Sequence, residues 1–540
     1  MLLQIKKDSF LVFVFFLLIL ITGLFTFDDY GIGIDEDNSR INGLVSLKYI
    51  FELFKIEFLN EKNFTNIANI NEYTEQGNGV VFDLPLAWVE LLFKVDDFRN
   101  KFLLRHIFSF LLYFLSLIYF YRLILEKHKS KLLAALGVLI LFASPRIFAQ
   151  SFFNPKDLGF MSVYIIGLFY GFRFIDNPSI KTSFIFSLIA GVTIGFRILG
   201  IFLPLIIILF HFIDLLKRKT IKKERFFPLL LLVLTLPFFV TLFWPYLWAS
   251  PLENFAEVFK NLSNHYRPLN NFFMGGYVSS LYVPWYYIFV WIGVTTPLSY
   301  LCLFFFGIFF VFTRFVKRLF KIEEQKTHND LWNGQNEKKN LINLFTIFIP
   351  IFIIIILHSS LYTGWRHLYF IYPSIVLLSI QGFSLLNLLY IKKKKILFVV
   401  GFFLVFPNLF WMLKNHPYQY SYFNIFAGKN FNKSFEMDYW GISSYNALDY
   451  IVKHNKKVSY VSIIGNGDIV QSKKFLEVKK RNKIVITHDF MKADFLIDNY
   501  NRWNGIKKTK NNLIIKNYFE PYFDIKVNNI SITKIYKKKL

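Results

Sequence analysis

Ten stretches of the chain, at residues 10–27, 103–125, 132–149, 158–175, 183–216, 226–244, 284–313, 341–358, 368–390 and 396–413, are almost wholly apolar. Most approach the ~20 residues a helix needs to cross a bilayer. Lipid offers the backbone no hydrogen-bond partner, so each run must satisfy its own N–H and C=O groups as a helix. The 183–216 run is too long for one crossing and carries Arg197 near its middle, which divides it into two short helices. The expected fold is mainly α, a polytopic transmembrane bundle of about eleven spans.

Basic clusters orient that bundle. They are Lys127/Lys129/Lys131, Arg173/Lys181, the KRKTIKKER stretch from Lys217, Arg314/Lys317/Arg318/Lys321, and Lys392 to Lys395. In an eleven-span arrangement all of them fall on one face, which is predicted to be cytoplasmic. The first run follows Lys6 and Lys7 as a signal peptide would, but its end, ITGLFTF, lacks a small-x-small cleavage site and reads as a retained anchor. The expected division is a membrane domain over 1–413, with outer loops 28–98 and 245–281, and a small extracytoplasmic α/β domain over 414–540. The tail alternates as strands do in KKVSYVSII and NKIVITHD, around a helical stretch from Tyr445 to Lys453. Its IIGNGD, Ile463 to Asp468, lacks the third glycine and helix opening of a nucleotide-binding fingerprint. A polar loop over 321–340 lies on the cytoplasmic side.

Composition agrees with a membrane protein: 54% hydrophobic and only 18% charged residues. The formal net charge of +26 raises the question of nucleic acid. Lys, Asn, Ile and Phe are inflated together, as A/T-rich codon usage produces. No basic stripe with interleaved aromatics lies outside the spans, so no nucleic-acid partner is expected. The lone Cys302 excludes an intramolecular disulfide.

Ionisable groups at membrane depth are costly and mark function by default. Here they gather at the outer face. The first loop opens with Asp28, Asp29, Asp35, Glu36 and Asp37; Arg105 and His106 begin the second span. SPRIFAQSFFNPKD supplies Arg146, Lys156 and Asp157; Arg197 sits at the turn of the short-helix pair; YTGWRH supplies Arg366 and His367. Carboxylates beside cations at a water–lipid boundary suit transfer from a lipid-linked sugar phosphate. A positioned carboxylate accepts the proton of an acceptor hydroxyl, worth about 10²–10⁴ in rate. The leaving phosphate needs no proton, only cations to stabilise its growing charge. The candidate catalytic residues are therefore Asp35, Glu36 and Asp157. The candidate donor-phosphate ligands are Arg146, Lys156, Arg197, Arg366 and His367. Each also has a structural reading: Asp35 or Asp37 as N-cap of a helix over 39–54, Asp157 as cap of the helix after Asn154-Pro155, the arginines as snorkelling groups, and His106 and His367 as hydrogen-bonded core histidines. No ligand pair has zinc spacing, and neither metal nor cofactor is expected. The aromatics of FWPYLW (Phe243 to Trp248) and VPWYY (Val283 to Tyr287) read as an interfacial belt.

With these residues in hand, the chain resembles the dolichyl-phosphate-mannose:protein mannosyltransferase-like branch of the GT-C glycosyltransferase superfamily, which includes the aminoarabinose transferases. The motifs are IDED at Ile34 to Asp37, SPRIFAQSFFNPKD, GFRILG, FWPYLW, VPWYY with TTP, GWRH, HPYQYSYFN and DYWG at Asp438 to Gly441. The resemblance implies a GT-C fold in a bacterial inner membrane and inverting transfer from a polyprenyl-phosphate sugar to an extracytoplasmic hydroxyl of a protein, lipid A or glycan. It also implies that Asp35 is the base with Glu36 beside it, that Asp157 and Arg146 match the second-loop acid and the SPR arginine, and that no catalytic metal is required. Related sequences often carry His where Gln150 stands. A lipid-saccharide flippase and a non-catalytic membrane scaffold share the polytopic topology. A flippase would place its ionisable groups near the midplane of repeated halves, which this chain lacks.

Overall fold

The computed structural model describes residues 2–56, 64, 66–216, 223–263, 268–320, 331–390, 394–465, 468–500 and 508–539. Residues 217–222 of the basic stretch, 321–330 of the polar loop, Lys392, Lys393, and Asn466-Gly467 of IIGNGD lie outside them. The described part of that loop is already entering a helix at Gly334.

After α1 (Leu2–Thr26) the first loop forms two helices, α2 (Glu36–Phe54) and α3 (Asp83–Leu92). The bundle continues through α4 (Phe98–His128), α5 (Lys131–Phe142), α6 (Pro145–Phe153), α7 (Pro155–Asp176), α8 (Ile180–Phe196), α9 (Phe202–Leu216) and α10 (Lys223–Leu242). The second loop holds α11 (Pro251–Ser263) and a hairpin of β1 (Asn270–Phe273) and β2 (Gly276–Ser279). Then follow α12 (Tyr287–Thr295), α13 (Leu298–Leu319), α14 (Gly334–Ile356), α15 (Tyr372–Tyr390) and α16 (Lys394–Lys414). Among the described residues, seven helices are long and apolar enough to cross a membrane, and α5 with α6 makes an eighth if that bent pair is one span. Three shorter apolar helices, Phe10–Thr26, Ile180–Phe196 and Val399–Lys414, fall on the remaining predicted runs. The chain is mainly helical and multi-pass, and the break near Arg197 falls as the charge in that run predicts.

Proline punctuation shapes the end of the bundle that carries the site. Pro145 and Pro155 each stand in the first turn of a helix, where the missing N–H leaves no bond unmade. They cut the chain twice in eleven residues, so α5 and α6 meet at 67°, and all nine residues of α6 are buried. Most of α7 and α15 is enclosed, whereas α10 and α13 turn most of their surface outward. Gly307 and Gly382 let α13 and α15 touch backbone to backbone: a Cβ on Gly307 would lie 2.1 Å from Leu378 O. The expected aromatic belt divides. Trp285 is exposed, but Trp244, Tyr246 and Tyr287 are core residues, and Tyr246 OH donates to Glu257 Oε2 at 2.8 Å.

Residues 415–441 run irregularly into the site end of the bundle before the tail becomes regular. α17 (Ser443–His454), β3 (Ser459–Ile464), α18 (Ile469–Phe475), α19 (Val478–Arg481), β4 (Ile484–Ile486), β5 (Phe495–Asp498), α20 (Lys508–Tyr518), β6 (Phe519–Val527) and β7 (Ile530–Lys538) follow. The five strands order as β4-β3-β5-β7-β6, parallel around β3 and antiparallel around β7. This α/β unit docks on the start of α4: Arg481 Nη2 pairs with Asp97 Oδ2 at 2.8 Å, and Arg99 Nη1 donates to Tyr445 OH at 3.0 Å. Phe475, fully buried, closes a small core with Ile32 and Phe102.

Candidate functional site

The first-loop acids separate at the start of α2. Asp35 is the N-cap residue, but its side chain makes no capping bond. It turns outward, 32% exposed, and accepts from Arg366 Nη1 at 2.8 Å. Glu36, one residue on, turns inward and is 3% exposed. Its Oε1 accepts from Gly33 N at 2.6 Å and its Oε2 lies 3.0 Å from His106 Nε2. The other His106 nitrogen is 3.2 Å from the Phe27 carbonyl, so the imidazole faces an acceptor on both sides and the Glu36–His106 pair needs a shared proton to satisfy both. Burial pushes the Glu36 carboxyl above its usual range, opposed chiefly by His106.

Asp157 is fully buried and encircled. The helix cap before it belongs to Asn154, not to Asp157: Asn154 Oδ1 accepts from Asp157 N at 3.1 Å, and its Nδ2 donates to Asp157 Oδ2 at 3.0 Å. The expected capping role of Asp157 is thereby corrected: Asp157 is the third residue of α7, inside the first turn, and the N-cap position is held by Asn154. It pairs with Arg197 on one side and stands 3.6 Å from Arg366 Nη1 on the other. Arg366 thus bridges Asp35 and Asp157, with its guanidinium 4.6 Å above the Trp440 ring and 5.0 Å from that of Tyr362.

The remaining cations take different places. Arg146 is buried, donates from Nε to the Tyr422 carbonyl at 2.9 Å and lies over Phe423 at 4.5 Å. Arg146 Nη2, Arg197 Nε and Arg366 Nε are buried without a hydrogen-bond partner among the described residues. Lys156 reaches back to the first loop, donating to Asn78 Oδ1 at 2.7 Å. His367 is half-buried, its ring edge-on to Tyr362 at 4.7 Å. Of the predicted residues, Asp35, Asp157, Arg197 and Arg366 form one contiguous cluster, Glu36 backs it, and Arg146 stands apart.

Gln150 centres a buried hydrogen-bond network that reaches Asn154. Its amide donates to Tyr369 OH at 2.8 Å and Tyr439 OH at 3.2 Å, while its Oε1 accepts from Asn154 at 2.9 Å and Trp440 at 3.3 Å. The sequence reading left its role open. It also missed a second charged layer beneath the loop: Asp83 binds Arg105 at 2.8 Å, and Glu90 pairs with Arg40 and, at 3.4 Å, Lys101. Burial raises the Asp83 carboxyl to about 6. Two acids seven residues apart in the otherwise apolar DLPLAWVE, on one helix face, are the signal that marks them. Glu436 was missed as well; it is buried, accepts from Phe272 N at 3.1 Å, and is raised to about 7 by desolvation.

Residues 86–244 match the family model for dolichyl-phosphate-mannose-protein mannosyltransferases, a span that runs from α3 to the end of α10 and contains Arg146, Lys156, Asp157 and Arg197. Among solved structures, the chain is similar to the Archaeoglobus fulgidus oligosaccharyltransferase in the apo form (12% identity over 86% of this chain and 62% of that one, TM-score 0.45). The same enzyme in complex with Zn and sulfate gives 11% identity over 87% and 64%, with a TM-score of 0.41. The chain therefore spans less than two thirds of the length of either structure. No curated protein matches it. The family resemblance carried by the motifs is the one that the family model returns.

Proposed function

Starting from the mannosyltransferase-family pattern of residues 86–244, we propose that the chain is a GT-C glycosyltransferase that moves a sugar from a polyprenyl-phosphate carrier to a hydroxyl acceptor on the extracytoplasmic side. One observation carries this reading: an accessible carboxylate, Asp35, in one cluster with Arg366 and Arg197, two guanidinium groups that each keep a buried N–H without a partner among the described residues. Such donors are expensive to bury unless an acceptor-rich group binds there, and a phosphate offers several oxygens.

In the proposed reaction the acceptor oxygen attacks the anomeric carbon as the bond from that carbon to the phosphate oxygen breaks, with inversion. The acceptor proton passes to Asp35, and the phosphate leaves with one more negative charge. Asp35 suits the base because it is reachable, whereas Glu36 is committed to Gly33 and His106. Arg366 and Arg146 are the cations best suited to the developing charge, with Arg197, Lys156 and His367 supplying the surrounding field. Asp157 acts by holding Arg197 and Arg366 in position. Incubating the purified protein with a panel of polyprenyl-phosphate sugars and acceptors, and following loss of sugar from the carrier, tests the reading. Consumption by the wild type that is lost in Asp35→Asn supports it; equal turnover by the two sinks it.

A further inference from the structure

The opposite end of the bundle holds a second polar site. Lys127 lies on α4, 21 residues beyond His106, which at ~1.5 Å per residue is about 30 Å from the carboxylates just described. The cations around it are matched. Lys338 pairs with Asp214 and Lys339 with Asp176. Arg173 pairs with Glu126 at 2.8 Å. Glu337 is shared by Arg314 at 2.8 Å and Arg318 at 2.9 Å. Lys127 differs: its Nζ bonds to the neutral Asn340 Oδ1, and among the described residues no carboxylate lies within ion-pair reach.

Lys127 also opens onto a cavity of about 270 Å³ between α4, α13, α14 and α15, whose walls include Arg314, Glu337, Gln381 and Phe310. Among the described residues Glu337 is the one carboxylate in that wall and it is divided between two arginines, so the described wall retains positive charge. An ammonium has three donors, and a half-buried one with a single neutral partner lacks what an anion would supply. The flanking α13 surface is greasy and outward-facing, with Phe305, Phe309 and Phe312 exposed. We infer that this cavity binds a phosphate-type oxyanion through Lys127 and Arg314, with Gln381 and Asn340 as neutral partners. Basic pockets between helices at a membrane surface suit anionic lipid headgroups, and Phe310 with the apolar α13 face makes a lipid the expected source.

The test uses the full chain in neutral detergent, with melting temperature and native mass spectra recorded against dioleoylphosphatidylglycerol, dioleoylphosphatidylcholine and inorganic phosphate. Phosphatidylglycerol should raise the melting temperature of the wild type and remain as a one-to-one adduct, and phosphatidylcholine should do neither. Lys127→Gln should weaken that binding about fivefold or more, as expected for loss of one charge contact, while Lys181→Gln, a change at an exposed lysine elsewhere on this face, should not. Stabilisation by inorganic phosphate that depends on Lys127 would assign the same site to a free anion. Asn340→Asp keeps the inference testable if Lys127→Gln folds poorly, since it gives Lys127 an internal carboxylate and should abolish lipid binding without lowering the melting temperature. The inference is overturned if both lipids stabilise equally without an adduct, if Lys127→Gln or Asn340→Asp binds like the wild type, or if Lys181→Gln loses as much as Lys127→Gln.

Discussion

Arg366 reaches Asp35 across 331 positions of sequence, with its Nη1 2.8 Å from Oδ2. The contact joins the first loop to the entrance of α15 and leaves the other Asp35 oxygen out of that bond. Asp35→Asn keeps the size of the side chain but cannot accept a proton. Turnover should fall by about 10²–10⁴ with little change in donor binding. Steady-state transfer and carrier-lipid binding, measured on the same preparation, separate the two.

Glu36→Gln should behave differently. The amide can still face Gly33 N, but it cannot share a proton with His106 as a carboxyl does, so stability should drop by about 1–3 kcal/mol. A melting-temperature loss with residual turnover is the expected pattern. Loss as deep as in Asp35→Asn at an unchanged melting temperature would move the base to Glu36.

Arg366→Ala should weaken donor binding by roughly 10- to 100-fold, the worth of a charge-assisted contact. Arg366→Lys should restore only part of it, because a point charge cannot address Asp35, Asp157 and a phosphate with one planar fork. Carrier-lipid titration of the three proteins checks this. Equal affinity in all three would remove Arg366 from the donor site.

Asn154 provides a test of the Asp157 carboxylate. Asn154→Ala removes the cap and should cost about 1 kcal/mol. Asn154→Asp keeps a capping oxygen but puts a second carboxylate beside Asp157, so turnover should suffer more than stability. If both variants lose stability and turnover in the same proportion, Asn154 is only a cap.

Glu436 gives a pH prediction. Its folded pKa of about 7 lies above the ordinary 4.5, so below 4.5 both states hold the proton and the group is neutral in its effect. Between about 4.5 and 7 the unfolded chain releases the proton first, and stability falls as pH rises. Glu436→Gln removes that loss. The variant should match the wild type near pH 4.5 and exceed it by about 3 kcal/mol above pH 7. Unfolding across this range checks it; parallel curves would contradict it.

The spans were legible because lipid imposes a length on each run, and the break at Arg197 was legible because a charge interrupts such a run; the bend at Ser144-Pro145 falls inside the 132–149 run, which reads as unbroken in hydropathy alone. The acids and arginines of the site also stood out against an apolar background. What could not be read is direction. Asp35 and Glu36 are neighbours in sequence, and only the docking of α2 against His106 turns one out and the other in. Gln150 is a neutral amide in an apolar segment, and its importance comes from Tyr369, Tyr439 and Trp440, which arrive from more than two hundred residues away. Asp83 and Glu90 carry a periodic signal, seven residues apart on one helix face, but they lie away from the span ends where the other acids gather, and their partners Arg105 and Arg40 sit 22 and 50 positions away.

The Glu36–His106 pair is dry because its roof comes from the other end of the chain: the Phe475 ring centroid is 5.8 Å from that of His106, and Trp440 closes over Gly33. The local dielectric felt by an acid near the first span is therefore set by residues more than four hundred positions later. A chimera carrying the tail of a relative would import a different electrostatic environment along with a different surface. Exchanging tails should thus retune the acidity of the first loop even where every residue of that loop is kept.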